Sequence, residues 1–161
     1  MSVGDYLLDP SGHNWTDLLS GWSSILPEEF NLWLVNQFGD AFIVVPDGSI
    51  HVLDLGTGTL MHVADNREDF ADRIADNADA WLLTYLIDEC TASGKFLAAG
   101  QCYGYKVPPM LGGKYTVENV EPTDLSVHYQ LLAQIVEKMK GLPEGTPISQ
   151  VALQLDREPR E

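Results

Sequence analysis

A chain of 161 residues with 45% apolar and 9% aromatic content is long enough to bury one core and too short to divide comfortably, so a single compact domain is expected. Its formal net charge of −15 argues against nucleic acid and acidic membranes as partners, since binding either needs clustered cations. Residues 1–94 hold 16 of the 24 acids and only two bases, Arg67 and Arg73; that field suits a basic partner, while the plainer alternative is that it keeps the chain soluble.

No run approaches the ~20 consecutive apolar residues of a membrane span. The opening MSVGDYLLDP has neither the basic nor the apolar region of a secretion signal, so a cytoplasmic location is expected. Cys90 and Cys102 are not in a CxxC spacing and read as reduced thiols.

In chain order, Asn14 or Thr16 can cap a short helix carrying Trp15, Leu18, Leu19, Trp22 and Ile25, closed by Pro27. FNLWLVNQF at 30–38 alternates only in part, whereas AFIVV at 41–45 is continuously apolar, as for a strand covered on both faces. Turns at Gly39-Asp40, Pro46-Asp47-Gly48 and Leu55-Gly56-Thr57-Gly58 separate these runs from SIHVLDL and TLMHVA. Residues 30–64 are therefore predicted to form an antiparallel meander.

The period then changes. Asp65 or Asn66 caps a helix with Phe70, Ile74, Ala71 and Ala78 on one face, and Glu68, Asp72, Asp76 and Asp79, at spacings of four, four and three, on another. Asn77 predicts a break, with a second helix from about Ala78 to Ser93 that carries Trp81, Leu82, Tyr85, Leu86 and Ile87 into the core. Residues 104–114 read as an ordered loop, stiffened by Pro108-Pro109 and turned by Gly112-Gly113, feeding a strand at 115–120. Thr123 or Asp124 caps a last helix with Leu125, Leu132, Ile135, Val136 and Met139 on one seam, stopped by Gly141 and Pro143; the tail can add a strand at 148–155. The fold class expected is α+β, an antiparallel meander packed against several helices. Its parts are a helical extension at 1–29, an α+β domain at 30–148 and a tail at 149–161.

Motifs for catalysis are absent from the spacing. LGGK at 111–114 fails as a phosphate loop because Pro108 stands where the first glycine is needed and Tyr115 where the hydroxyl is needed. GTG at 56–58 joins two strands rather than opening a helix. His51 and His62 face each other if the intervening turn closes with an even number of residues, and point to opposite faces if it closes with an odd one. A zinc site wants three or four converging ligands, so neither a metal nor a cofactor is predicted.

Four motifs, FGD at 38–40, the DG turn at 47–48, LDLGTG at 53–58 and VPPMLGGKYTVEN at 107–119, occur in one order over about residues 30–148. That order resembles a bacterial family of type VI secretion immunity proteins, those that protect a cell from DNase effectors. The resemblance implies inhibition by binding rather than catalysis, with a cognate basic nuclease toxin as the partner and occlusion as the mechanism. Some members carry a separate upstream domain, for which the first 29 residues are too few.

From the residues themselves, the leading partner-binding candidates are Asp65, Glu68, Asp69, Asp72, Asp76 and Asp79, with a solvated face as the alternative. Tyr103 and Tyr105, one residue apart, share a face of an extended segment and either brace the loop from inside or offer an aromatic anchor. A competing expectation is a small enzyme or ligand-binding domain with a cleft near Tyr103, Tyr105, His51 and His62, and a third is a scaffold with no toxin partner.

Overall fold

The structure, a computed structural model, describes residues 3–140. The expected stop at Gly141 and Pro143, the tail strand at 148–155 and the domain boundary at 148 lie outside the described residues. Four strands, β1 (Asn31–Val35), β2 (Ala41–Val44), β3 (Ile50–Asp54) and β4 (Thr59–Ala64), pair antiparallel in sequence order, which is the expected meander. Alternation then splits the apolar residues between two cores. Phe42, Ile50 and Val52 enter one, while Ala41, Ile43 and Leu53 enter the other. β2 is covered on both faces because it is apolar at every position.

The first core is completed by α2 (Arg67–Asp76), α3 (Ala78–Leu82) and α4 (Thr84–Ala92), which contribute Phe70, Ile74, Leu82, Leu86 and Ile87. The second is completed by α1 (Trp15–Ser20) and α5 (Leu125–Lys140). Asn14 caps α1, its side-chain oxygen accepting from the Asp17 amide at 3.2 Å. Trp22 in the following turn is 1% exposed and donates its indole N–H to the Tyr129 carbonyl at 3.2 Å, pinning the N-terminal helix onto α5. The architecture is α+β, with helices on both faces of the meander.

The structure departs from expectation in three places. The helix expected from Ala78 to Ser93 is two, broken at Leu83, which sits in the left-handed region at φ 54. The Asp79 carboxylate there accepts from the Tyr85 amide at 2.9 Å and the Thr84 hydroxyl at 3.3 Å, capping the start of α4. The break resets the helical phase, so Tyr85, expected in the core, is 70% exposed. Ala71 is exposed as well, and Trp81 is half-buried.

The third departure concerns the strand expected at 115–120. A strand β6 begins only at Val120 (Val120–Asp124), and it pairs with an unforeseen β5 (Gln101–Tyr105) in a separate two-stranded sheet rather than joining the meander. Upstream of it Val117–Asn119 form a 3-10 turn. The cause is competition for backbone groups: Lys95 Nζ donates to the carbonyls of Val117 and Val120, and Asn119 exchanges hydrogen bonds with Val107. Pro122 is tolerated because β6 is an edge strand.

Everything meets at the turn 36–40. The Asn36 side-chain oxygen accepts from the amides of Phe38 and Asp40, each at 3.0 Å, and its nitrogen donates to Asp40 Oδ2 and to the Trp81 carbonyl. Gly39, at φ +82, lets the chain double back so that its carbonyl accepts from the Tyr129 hydroxyl at 2.6 Å. His128 Nε2 donates to the Phe38 carbonyl at 3.0 Å, and the Tyr103 amide donates to the Gln37 carbonyl at 2.7 Å. Replacing Asn36 by Ala leaves two buried amides and the Trp81 carbonyl without partners. We expect it to lower unfolding free energy by about 2–4 kcal/mol in urea denaturation, far more than the ~0.5 kcal/mol of an exposed substitution.

Candidate functional site

The acidic helix is the first feature to place. α2 is capped by Asn66, whose side-chain oxygen accepts from the Asp69 amide at 2.8 Å, and its first turn carries Glu68 and Asp69, where the helix dipole favours negative charge. The six acidic candidates divide by what they touch. Asp65 lies 3.1 Å from His62 Nε2, Asp69 pairs with Arg73 at 3.4 Å, and Asp79 caps α4. Glu68, Asp72 and Asp76, one helical turn apart on α2, are exposed and make no ion pair or hydrogen bond among the described residues. The chain leaves helical geometry at Asn77 (φ −152, ψ 81), so Asp79 belongs to a new helix rather than to this stripe.

Beside α3 lies a cavity of about 260 Å³ that the pattern of the sequence did not reveal. Its floor is the first-core face of the meander: Phe42 pairs with Val52 and Val52 with Met61, and Asp54, two residues beyond Val52, points to the same side. Asn36 and Asp40 line it from the turn, Ala80, Trp81 and Leu83 from the helices, and Tyr115 from the loop. Larger grooves of about 600 and 550 Å³ flank α1, with no lining residue from α2 or α3.

Asp40 is the unusual member. It is 6% exposed and holds Leu55 through its amide at 3.0 Å as well as Asn36. Burial, reinforced by the neighbouring Asp54 charge, pushes its carboxyl up to about 8, against the opposing pull of the hydrogen bonds from Asn36 and Leu55. Tyr115 is raised to about 12, again chiefly by burial and then by Asp54 and Asp40.

The tyrosines act from inside. Tyr103 is 1% exposed and donates its hydroxyl to the Lys95 carbonyl at 2.6 Å. The Phe38 ring lies 5.6 Å from Tyr103 and is stacked 5.8 Å from Tyr105, which also meets Tyr115 edge-on at 5.9 Å. The loop between them and β6 is closed on itself by Asn119, and Gly113 is required there: a Cβ would stand 1.6 Å from the Val107 carbonyl oxygen. The Met110 amide donates to the Gly56 carbonyl at 2.9 Å, docking the loop on the β3–β4 hairpin.

The alternative cleft is not assembled. His51 and His62 are directly paired, with ring centroids 5.3 Å apart, because the turn between Asp54 and Thr59 holds four residues and so takes the even register. They sit where β3 begins, whereas Tyr105 packs against Gly56 beyond its end, about five strand residues or ~15 Å away. Burial, then the neighbouring His62, lowers the His51 pKa. No group of three His, Cys, Asp or Glu side chains suited to a metal occurs among the described residues. The buried His128 is held neutral, its pKa lowered to about 4 by desolvation, and burial raises the thiols of Cys90 and Cys102, the opposite of what a nucleophile needs. Among the described residues no helix is long and apolar enough to cross a membrane.

Residues 64–136, which run from the end of β4 through the acidic helices and the tyrosine loop into α5, match the family model described as T6SS immunity protein Tdi1, C-terminal. That segment, less than half of the chain, is similar to the C-terminal part of type VI secretion immunity proteins. Of the motifs that carry the resemblance in sequence, VPPMLGGKYTVEN lies inside the matched segment and FGD and LDLGTG lie upstream of it. No curated protein matches the chain.

Two measurements check this arrangement. Asp40 is protonated when folded up to about pH 8 but ionised when unfolded above its ordinary 3.8, so its contribution to stability is full at low pH and lost as pH rises through 8. His128 acts oppositely, its contribution being present above 6.5 and lost as pH falls through about 4. Between pH 6.5 and 8 Asp40 therefore dominates, and unfolding free energy is expected to fall by about 1–2 kcal/mol, a slope that Asp40→Asn should flatten. Tyr105→Ala, which removes the ring stacked on Phe38, should cost about 3 kcal/mol and lower the melting temperature; an unchanged melting temperature contradicts the bracing role.

Proposed function

We propose that the chain is an immunity protein that binds a cognate nuclease toxin of type VI secretion in the cytoplasm and blocks it by occlusion, with no catalysis of its own. The observation that carries this reading is the unpaired stripe of Glu68, Asp72 and Asp76, exposed on a helix inside the segment that matches the immunity family. A nuclease must present a cationic groove to phosphate, and an acidic protein can occupy that groove and exclude substrate. Within the stripe, like charges a turn apart repel by a few tenths of a kcal/mol per pair, so the isolated fold gains nothing from it.

Reversing Asp72 and Asp76 together to Lys should leave the melting temperature within about 2 °C of wild type, because both side chains are exposed. Association with the cognate toxin should slow at least several-fold at low salt. The difference should shrink as salt rises, since exposed charges are screened over ~8 Å at physiological ionic strength. Stopped-flow association rates at two salt concentrations read both effects. Equal rates for the two proteins at both would leave the stripe as a solvated face and move the contact to the strand edges or the 103–114 loop. Failure of the toxin product to be captured at all by the wild-type chain would remove the nuclease reading.

A further inference from the structure

The cavity between the meander and α3 is a different matter from the acidic stripe, because it is a built recess lined by two aspartates, Asp40 and Asp54, and by no base. We infer that it is a socket for one arginine side chain of the bound partner, held between Trp81 and Tyr115 and facing Asp54 and Asp40. This rests on the reading of the chain as a toxin-binding protein and adds to it the chemistry of one contact.

At about 260 Å³ the recess falls below the range of about 300–1,000 Å³ usual for cofactors and drug-sized ligands, which leaves room for a single side chain. Asp54 is partly exposed and uses one oxygen, Oδ1, to accept from the Thr57 amide at 3.2 Å, which leaves Oδ2 open to the recess, while Asp40 beside it is buried and contributes a polar wall. No Lys or Arg lines the recess, so a cation that faces Asp54 there comes from outside the chain. Trp81 is fixed edge-on to Phe70 at 5.4 Å, and Tyr115, 45% exposed, is fixed edge-on to Tyr105 at 5.9 Å. Rigid aromatic rings beside a carboxylate suit a planar guanidinium, which stacks on rings and donates two parallel hydrogen bonds; an ammonium does neither. The rim fits a protein partner, because Met61 is 48% exposed beside the opening. Leu83, among the described residues the one non-glycine at positive φ, shapes the wall.

The test needs no toxin, so its outcome is separable from the nuclease reading. The full chain, labelled with nitrogen-15, is titrated with N-acetyl-arginine amide, and in parallel with N-acetyl-citrulline amide, which has the same shape without the charge. We expect the arginine compound to shift the Trp81 indole signal and the backbone amides of residues 80–83 and 115, with a Kd on the order of 1 mM. The citrulline compound should shift them at least tenfold less at equal concentration. Asp54→Asn should weaken the arginine response about tenfold, and Tyr115→Ala, at a more exposed position, about threefold; either variant suffices if the other fails to fold. The inference is overturned if the two compounds shift the signals equally, if the shifts map to α2 instead of the recess, or if neither compound binds below 20 mM, on the order of ten times that Kd. Capture of the toxin together with a silent titration would discard the socket and leave the immunity reading standing.

Discussion

The fold depends on a buried turn whose hydrogen bonds reach four separate elements. Asn36 and Asp40 sit between the two cores, and through them and the intervening carbonyls the turn holds β3 by Leu55, α3 by Trp81, β5 by Tyr103 and α5 by His128 and Tyr129. None of these contacts is large singly, since a net hydrogen bond contributes about 1 kcal/mol. Buried together they are cooperative, and a gap in the set leaves polar groups without their partners. The apolar cores supply most of the driving force, but they are not directional. The turn is what fixes how the two helical layers sit on one sheet.

The same turn places the acidic chemistry. Because Asp40 is spent on holding Leu55 and Asn36, its carboxyl is buried beside Asp54 instead of being paired with a base. Stability and the site are therefore linked: the group that organises the chain is also one that burial keeps protonated up to about pH 8. The tyrosine loop closes the arrangement from the other side. Tyr105 stacks on Phe38 of the turn and carries Tyr115 at the cavity edge, while Met110 anchors the loop to the LDLGTG hairpin. The recess is therefore pre-organised, its walls held by contacts within the chain.

The two thiols and His128 are buried and shifted away from reactivity, and the histidine pair on β3 and β4 lies at the far end of the strand from the tyrosines. The exposed carboxylates without a partner on α2, Glu68, Asp72 and Asp76, lie within the segment that matches the immunity family. Exposed charges of that kind govern encounter rate, whereas a recess with rigid walls governs how long a complex lasts.

Local pattern by itself determined the meander, the break at Asn77 and the long last helix, narrowed the caps to Asn14 or Thr16 and to Asp65 or Asn66, and marked Glu68, Asp72 and Asp76 as one face, because each is written in residues within one turn or one strand of each other. The motifs FGD and LDLGTG also held the two cavity carboxylates in plain view, as Asp40 and Asp54, but nothing in their spacing says that they converge. Only the tertiary structure decided that. It brought Trp81 and Tyr115 to the same recess from residues 34 apart in sequence, and it turned Tyr103 inward. It also set the even register that pairs His51 with His62, and it moved the last strand from 115–120 to Val120–Asp124, where Lys95 and Asn119 hold the preceding backbone. Hydrogen-bond competition and helical phase across a break are settled by groups distant in sequence, and periodicity within a window carries no information about them.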